Sequence, residues 1–278
     1  MQQTVCSTLS RVFIAVFALA MSPAQAAEKI PVLIYHEIVD SAITGGETKI
    51  SLQRFTEQMR YLHDAGYSTI STRDLVAYMQ GKISLPKNSI VLTFDDGWKN
   101  VLNALPVLNR NAFKASFWII TEKGIGWDNV EWSDVLALGT NPNFEIYSHT
   151  ATHPWNPTSN LVTWVDDRDT KFNSTDAMRE LVESKQVLEH KLGRAVPYLA
   201  WPVGWYNSRL IEMAKTAGYE ALFTAEEGGN GPGDDIFQIK RLFVDGACDI
   251  DAFIRLIQSH RYAPCAKSEW VTQGHSPP

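Results

Sequence analysis

Ile90-Val91-Leu92-Thr93-Phe94-Asp95-Asp96-Gly97 runs from an apolar, β-favouring stretch straight into two adjacent carboxylates. Apolar side chains on both faces mark a strand buried within a parallel sheet. Two carboxylates at the end of such a strand are costly to bury unless a cation or hydrogen bonds compensate them. Gly97 allows a sharp turn directly afterwards. Asp-Gly also occurs in plain surface turns, but the apolar run leading into this pair argues for a site.

Shorter runs of similar character recur at residues 31–35, 67–70, 115–120, 144–148, 198–201, 221–224 and 238–244. Amphipathic stretches separate them. Ser51 can cap a helix whose Leu52, Phe55, Met59 and Leu62 share one face and which ends near Gly66. Residues 100–109 read as a second helix. Ser174 can cap a long one bearing Leu181, Val182, Lys185 and Leu188, which stops at Gly193. Residues 207–217 and 250–260 complete the set, while 124–132 and 154–172 read as long, Trp-rich loops. This alternation predicts an α/β fold, a distorted or incomplete (β/α) barrel of about seven strands, with an open doubly wound sheet as the competing topology. Either puts functional side chains at the carboxyl ends of strands.

The chain begins with a short polar stretch containing Arg11, an apolar run from Val12 to Met21, and then Ala24-Gln25-Ala26. The run is too short for a stable membrane anchor, so residues 1–26 are expected to be a cleaved signal peptide and 27–278 a single domain, secreted or periplasmic. Losing Arg11 would make the formal charge of −6 one unit more negative. An acidic chain of this kind lacks the basic face that nucleic acid or an anionic surface requires. The same cut removes Cys6 and leaves Cys248 and Cys265, which could pair in an oxidising compartment or stay as thiols.

Three more clusters stand at strand ends. In His149-Thr150-Ala151-Thr152-His153-Pro154 the two imidazoles, four residues apart, would share one face of a helical turn and could chelate one metal ion. No Glu follows the first His, so a general base has to come from elsewhere, and Asp95-Asp96 can supply it. One Asp and two His would leave a coordination position open for water. His36 ends the 31–35 run, and if the strands are parallel it converges with the other two clusters on one rim. Trp201-Pro202-Val203-Gly204 can turn a backbone N–H into the site as an oxyanion donor, although ordinary strand-to-helix punctuation would look the same.

Taken together, Thr-Phe-Asp-Asp-Gly at 93–97 and Ser-His-Thr-x-x-His-Pro at 148–154 resemble the polysaccharide deacetylase superfamily, the carbohydrate esterase family 4 or NodB-homology group. The likeness runs from about Pro31 to His260. It implies Asp95 as catalytic base, Asp96, His149 and His153 as ligands of a divalent ion with Zn²⁺ expected, and Val203 N–H as oxyanion donor. Ala200 stands where many members carry an Arg that holds the base, and Arg241 is the expected substitute. Ser259-His260 matches poorly the C-terminal motif that supplies the acid in many members. Tyr35-His36 instead matches the N-terminal acid of the subgroup acting on poly-β-1,6-N-acetylglucosamine, as do the 55–67 segment and Arg241-Leu-Phe-Val-Asp-Gly.

The implied activity is metal-assisted hydrolysis of N-acetyl groups on an N-acetylated polysaccharide, with His36 as acid. Peptidoglycan, chitin oligomers and acetylxylan are the alternative substrates. Trp155, Trp201 and Trp205 are expected to bind substrate, and Trp127, Trp132 and Trp164 to add stacking walls or be partly buried under loops. A glycosidase would need its carboxyls about 5 Å or more apart across the glycosidic bond and leaves the histidines unexplained. A catalytically inactive glycan-binding module is the non-enzymatic rival.

Overall fold

The computed structural model describes residues 28–40, 47–122 and 128–262. The expected signal peptide, Trp127 and Cys265 therefore lie outside the described residues. Cys248 is disulfide-bonded.

In chain order the elements begin with β1 (Val32–Tyr35), β2 (Glu37–Val39), β3 (Lys49–Ser51), α1 (Leu52–Asp64), β4 (Ser68–Thr69) and α2 (Thr72–Met79). The middle of the chain gives β5 (Ser89–Phe94), α3 (Leu105–Arg110), β6 (Ala115–Ile119), α4 (Trp132–Thr140) and β7 (Phe144–Ser148). There follow β8 (Trp155–Asn156), β9 (Ser159–Asn160), α5 (Leu161–Val165) and α6 (Ser174–Leu192). The last are β10 (Tyr198–Ala200), α7 (Ser208–Thr216), β11 (Ala221–Phe223), β12 (Leu242–Phe243) and α8 (Ile250–Ser259).

The main sheet is ordered β11-β10-β7-β6-β5-β1-β12, with every pairing parallel and β4 added beside the start of β5. It curls into an incomplete (β/α) barrel of seven parallel strands, not an open doubly wound sheet. Across the remaining seam, between β11 and β12, Phe223 and Ile239 form a single parallel bridge. β1, β5 and β6 are buried along their whole length, as strands covered on both faces must be.

Several local readings change. The 238–244 run pairs as a strand only at Leu242–Phe243. The 100–109 helix splits into a 3₁₀ turn, Lys99–Ala104, and α3, where Pro106 at the start lacks the N–H that a continuous helix would need. Asn173 rather than Ser174 caps α6, because its side chain accepts from Thr175 N while Asp176 accepts from Asn173 N. α6 then ends at Gly193, as read, in the left-handed conformation. The 154–172 segment contains the β8–β9 hairpin and α5, and Trp132 opens α4. α2, whose Ser71 and Asp74 form a capping box, had no counterpart in the sequence reading.

β3 is fixed from outside the sheet. Gly246 N donates to Glu47 O, and a Cβ on Gly246 would stand 1.9 Å from Lys49 O. Gly246→Ala should therefore push β3 away at a cost of about 1–3 kcal/mol. Thermal unfolding followed by circular dichroism should read that as a Tm lower by about 2–4 °C per kcal/mol, and an unchanged Tm would refute the contact.

Candidate metal and catalytic site

The strand ends deliver the expected residues to one rim. His36 follows β1, Asp95 and Asp96 follow β5, His149 follows β7, and Trp201 and Val203 follow β10. They line a single cleft of about 510 Å³, together with Arg241, Trp155 and Trp205.

The two carboxylates are compensated differently. Arg241, almost fully buried, donates from both terminal nitrogens to Asp95, at 2.8 Å to Oδ1 and 2.9 Å to Oδ2. Its Nε donates to Thr224 O at 2.7 Å, and its guanidinium lies 5.8 Å from the Trp118 ring centre. Burial alone would raise the Asp95 pKa, but the charges of Arg241 and then His149 outweigh it and hold the carboxyl below its ordinary value.

Asp96 faces the histidines. Its Oδ2 accepts from Trp98 Nε1 at 2.9 Å, while buried Oδ1 makes no well-formed hydrogen bond. That oxygen lies 3.3 Å from His149 Nε2 and 3.5 Å from His153 Nε2. Burial opposes ionisation here too, but His153 and His149 together leave the Asp96 pKa well below normal.

The histidines do not sit on a helical turn, contrary to the sequence reading. They flank a loop in which Thr150 (φ 67°) and His153 (φ 54°) are left-handed. His149 Nδ1 lies 2.9 Å from Ala200 O. A carbonyl can only accept, so Nδ1 carries the hydrogen and a neutral ring turns the Nε2 lone pair toward Asp96. Burial lowers both imidazole pKa values. At His149 the charges of Asp95 and Asp96 reverse the direction, whereas His153 is pushed down to about 4.

This arrangement fits a cation. Asp96, His149 and His153 offer one ligand atom each, all within 4.8 Å of one another. Tetrahedral ligands about 2.1 Å from Zn²⁺ stand roughly 3.4 Å apart, which is the spacing of Asp96 Oδ1 from the two Nε2 atoms.

Val203 has φ 57°, a strained value for a β-branched residue, in the turn after β10. Gly204 after it admits no Cβ, which would lie 2.5 Å from Ala225 Cβ. His36 packs on Phe243 at 5.5 Å, and its Nδ1 has no hydrogen-bond partner.

The tryptophans divide. Trp155 on the β8–β9 hairpin is 59% exposed, and Trp205 is half-buried in the cleft wall. Trp201 is fully buried and parallel to Tyr206, so it forms floor instead of an open stacking face. Trp164 is buried against Phe172 at 4.5 Å, and Trp132 opens α4, so neither lines the cleft. Trp98 does, and sequence reading missed it although it follows Gly97 directly.

The sequence profile described as polysaccharide deacetylase matches residues 82–222. The chain belongs to the polysaccharide deacetylase family. Its homologues and structural neighbours are carbohydrate deacetylases, and deacetylases of this group are metal-dependent. The poly-β-1,6-N-acetyl-D-glucosamine N-deacetylase of Staphylococcus aureus (strain MSSA476) is 25% identical over 218 residues, covering 75% of this chain and 71% of that one. The enzyme of the same name from Escherichia coli (strain K12) is 24% identical over 224 residues, 70% of this chain. This deacetylase spans only 33% of the E. coli protein's length. IcaB from Ammonifex degensii superposes with a TM-score of 0.72 at 24% identity, over 84% of this chain and 97% of that one, a likeness of fold.

Asp96→Asn should leave one oxygen for the two imidazoles and no full charge. Equilibrium dialysis against Zn²⁺ should find bound metal in the parent protein and a large loss in this variant, and equal occupancy would break the ligand assignment.

Proposed function

We propose that the protein is a metal-dependent hydrolase that removes N-acetyl groups from a poly-β-1,6-N-acetylglucosamine type of polysaccharide. The observation that carries this reading is the pairing of two adjacent carboxylates with different partners. Asp95 is clamped by Arg241, and Asp96 shares its free oxygen with two imidazoles. A glycosidase needs separated carboxyls, and adjacent residues committed to different partners cannot serve it. A passive binding module has no use for an ionised buried Asp held beside a candidate ion site.

Asp96, His149 and His153 would hold the ion, and Zn²⁺ suits one carboxylate and two imidazoles. When bound, such an ion supplies Lewis-acid polarisation of the acyl oxygen and a lowered pKa for water. Asp95 takes the proton of the attacking water on a carboxylate oxygen, and Arg241 keeps that carboxylate ionised and oriented. The Val203 N–H donates to the acyl oxygen as charge develops there, a contribution typically worth about 3 kcal/mol. His36, in the same cleft, delivers a proton to the departing sugar amine. Trp155 and Trp205 offer ring faces to the polymer, while Trp201 closes the floor.

The names of the S. aureus and E. coli relatives support the choice of glycan, as does Tyr35-His36 at the end of β1. Residues 1–26 read as an export signal, which would put the enzyme where such polymers are found, secreted or periplasmic. Among the described residues no helix is long and apolar enough to cross a membrane.

Acetate release should be measured on poly-β-1,6-N-acetylglucosamine, chitin oligomers, peptidoglycan and acetylxylan, with chelator and metal add-back. The first glycan should be preferred, and chelator should abolish turnover reversibly. Asp95→Asn should lower the rate by about 10²–10⁴-fold with metal still bound. Substantial residual activity in that variant would refute Asp95 as the base.

The depressed Asp95 pKa sets the sign of the pH response. The base stays ionised to lower pH than an ordinary carboxylate, so the acid limb of kcat/KM should lie below the usual carboxylate range. Arg241→Gln removes the guanidinium charge and should move that limb to higher pH. An unmoved limb would mean that Arg241 does not tune the base.

A further inference from the structure

The loop between the two histidines rests on a carboxylate that neither the Asp95 pair nor the candidate triad uses. Glu180, on the second turn of α6, is buried. Its Oε2 accepts from the backbone N–H groups of Ala151 (2.9 Å) and Thr152 (2.8 Å), and its Oε1 accepts from the Thr152 hydroxyl at 2.5 Å. Those two N–H groups belong to residues lying between His149 and His153.

This stretch needs outside support. It is neither helix nor strand, and it holds Thr150 and His153 in the left-handed region, which is unfavourable for a β-branched residue above all. Its other bonds are short-range or reach the segment just after β6. Ser148 Oγ accepts from Thr150 N, Thr150 Oγ1 accepts from His153 N, and Glu122 N donates to Ala151 O. Glu180 is the side chain that ties the middle of the loop to a rigid helix. Without a matched acceptor, two loop N–H groups would lose their partners, and the backbone would shift to find others.

We propose that Glu180 is a positioning residue for His149 and His153, so that α6 sets the affinity of the ion site through the shape of the acceptor it offers. This rests on the reading of Asp96, His149 and His153 as metal ligands. Residues one shell out from a metal typically govern affinity by about 10–100-fold. The bonding pattern makes reach decisive and charge secondary, because a single oxygen, Oε2, takes both backbone donors. An amide oxygen of the same reach can do likewise, with its NH₂ turned to the Thr152 oxygen. A carboxylate one methylene shorter cannot.

The test is transfer of Zn²⁺ from the loaded full-length protein to a chromogenic chelator, for the parent, Glu180→Gln and Glu180→Asp. Glu180→Gln should hold the ion within about threefold of the parent, and Glu180→Asp, which keeps the charge, should hold it about 10–100-fold more weakly. With Co²⁺ in place of Zn²⁺, the visible absorption of Glu180→Gln should match the parent and that of Glu180→Asp should not. Parent-like affinity in Glu180→Asp, or equal weakening in both variants, would overturn the proposal. If the parent itself held no ion, the metal-site reading would fail first, and that outcome is distinct.

Discussion

Two consecutive carboxylates stand at the end of a fully buried strand, and the burial of that pair is the constraint around which the site is arranged. Neither could stay ionised there alone. Asp95 is neutralised by a guanidinium carried beside β12, two strands away, and Asp96 faces the imidazoles of the loop after β7, two strands away on the other side. Each compensation needs strands that are distant in sequence to be neighbours in space. The order β7-β6-β5-β1-β12 brings them there.

The backbone around the pair is correspondingly unusual. Asp96, Thr150, His153 and Val203 all adopt positive φ without being glycine. Such positions are costly and persist only where surrounding contacts over-determine them. The contacts are visible: Asn129 Nδ2 donates to Asp96 O, and the packing of Gly204 against Ala225 leaves no room to relax the turn after β10. Asn88, Ala112, Asp167 and His260 share the positive φ away from the cleft, so left-handed backbone is not confined to the site, but half of these positions fall in it.

How far the sequence could be read follows from the range of the forces involved. Strands buried on both faces announce themselves by largely apolar runs, so β1, β5, β6 and β7 are legible, and so are the site residues that follow β1, β5 and β7. Caps depend on one residue's bonds to its neighbours, so Ser51 could be placed and Asn173 missed by a single position. The histidine spacing was legible but its local form was not, because four-residue spacing fits a helical turn equally well when nothing reveals the left-handed residues between. Short elements without a long apolar period, α2, α5 and the β8–β9 hairpin, left too little pattern to find. Arg241 could be named as partner of Asp95 through family likeness, since nothing local in Gln238-Ile239-Lys240-Arg241 points toward residue 95. Trp98 and Glu180 act through contacts that no periodicity encodes.

The seam between β11 and β12 is one residue pair wide, Phe223 with Ile239, and Arg241 stands two residues beyond it. Thr224, next to Phe223, supplies the carbonyl that receives the Arg241 Nε. The single-pair join that closes the barrel and the anchorage of the cleft's guanidinium are therefore one piece of chain. Breathing motions that part the staves at this point would slacken the grip on Asp95 while the rest of the cask stayed whole, so the integrity of the rim reports on the readiness of the carboxylate.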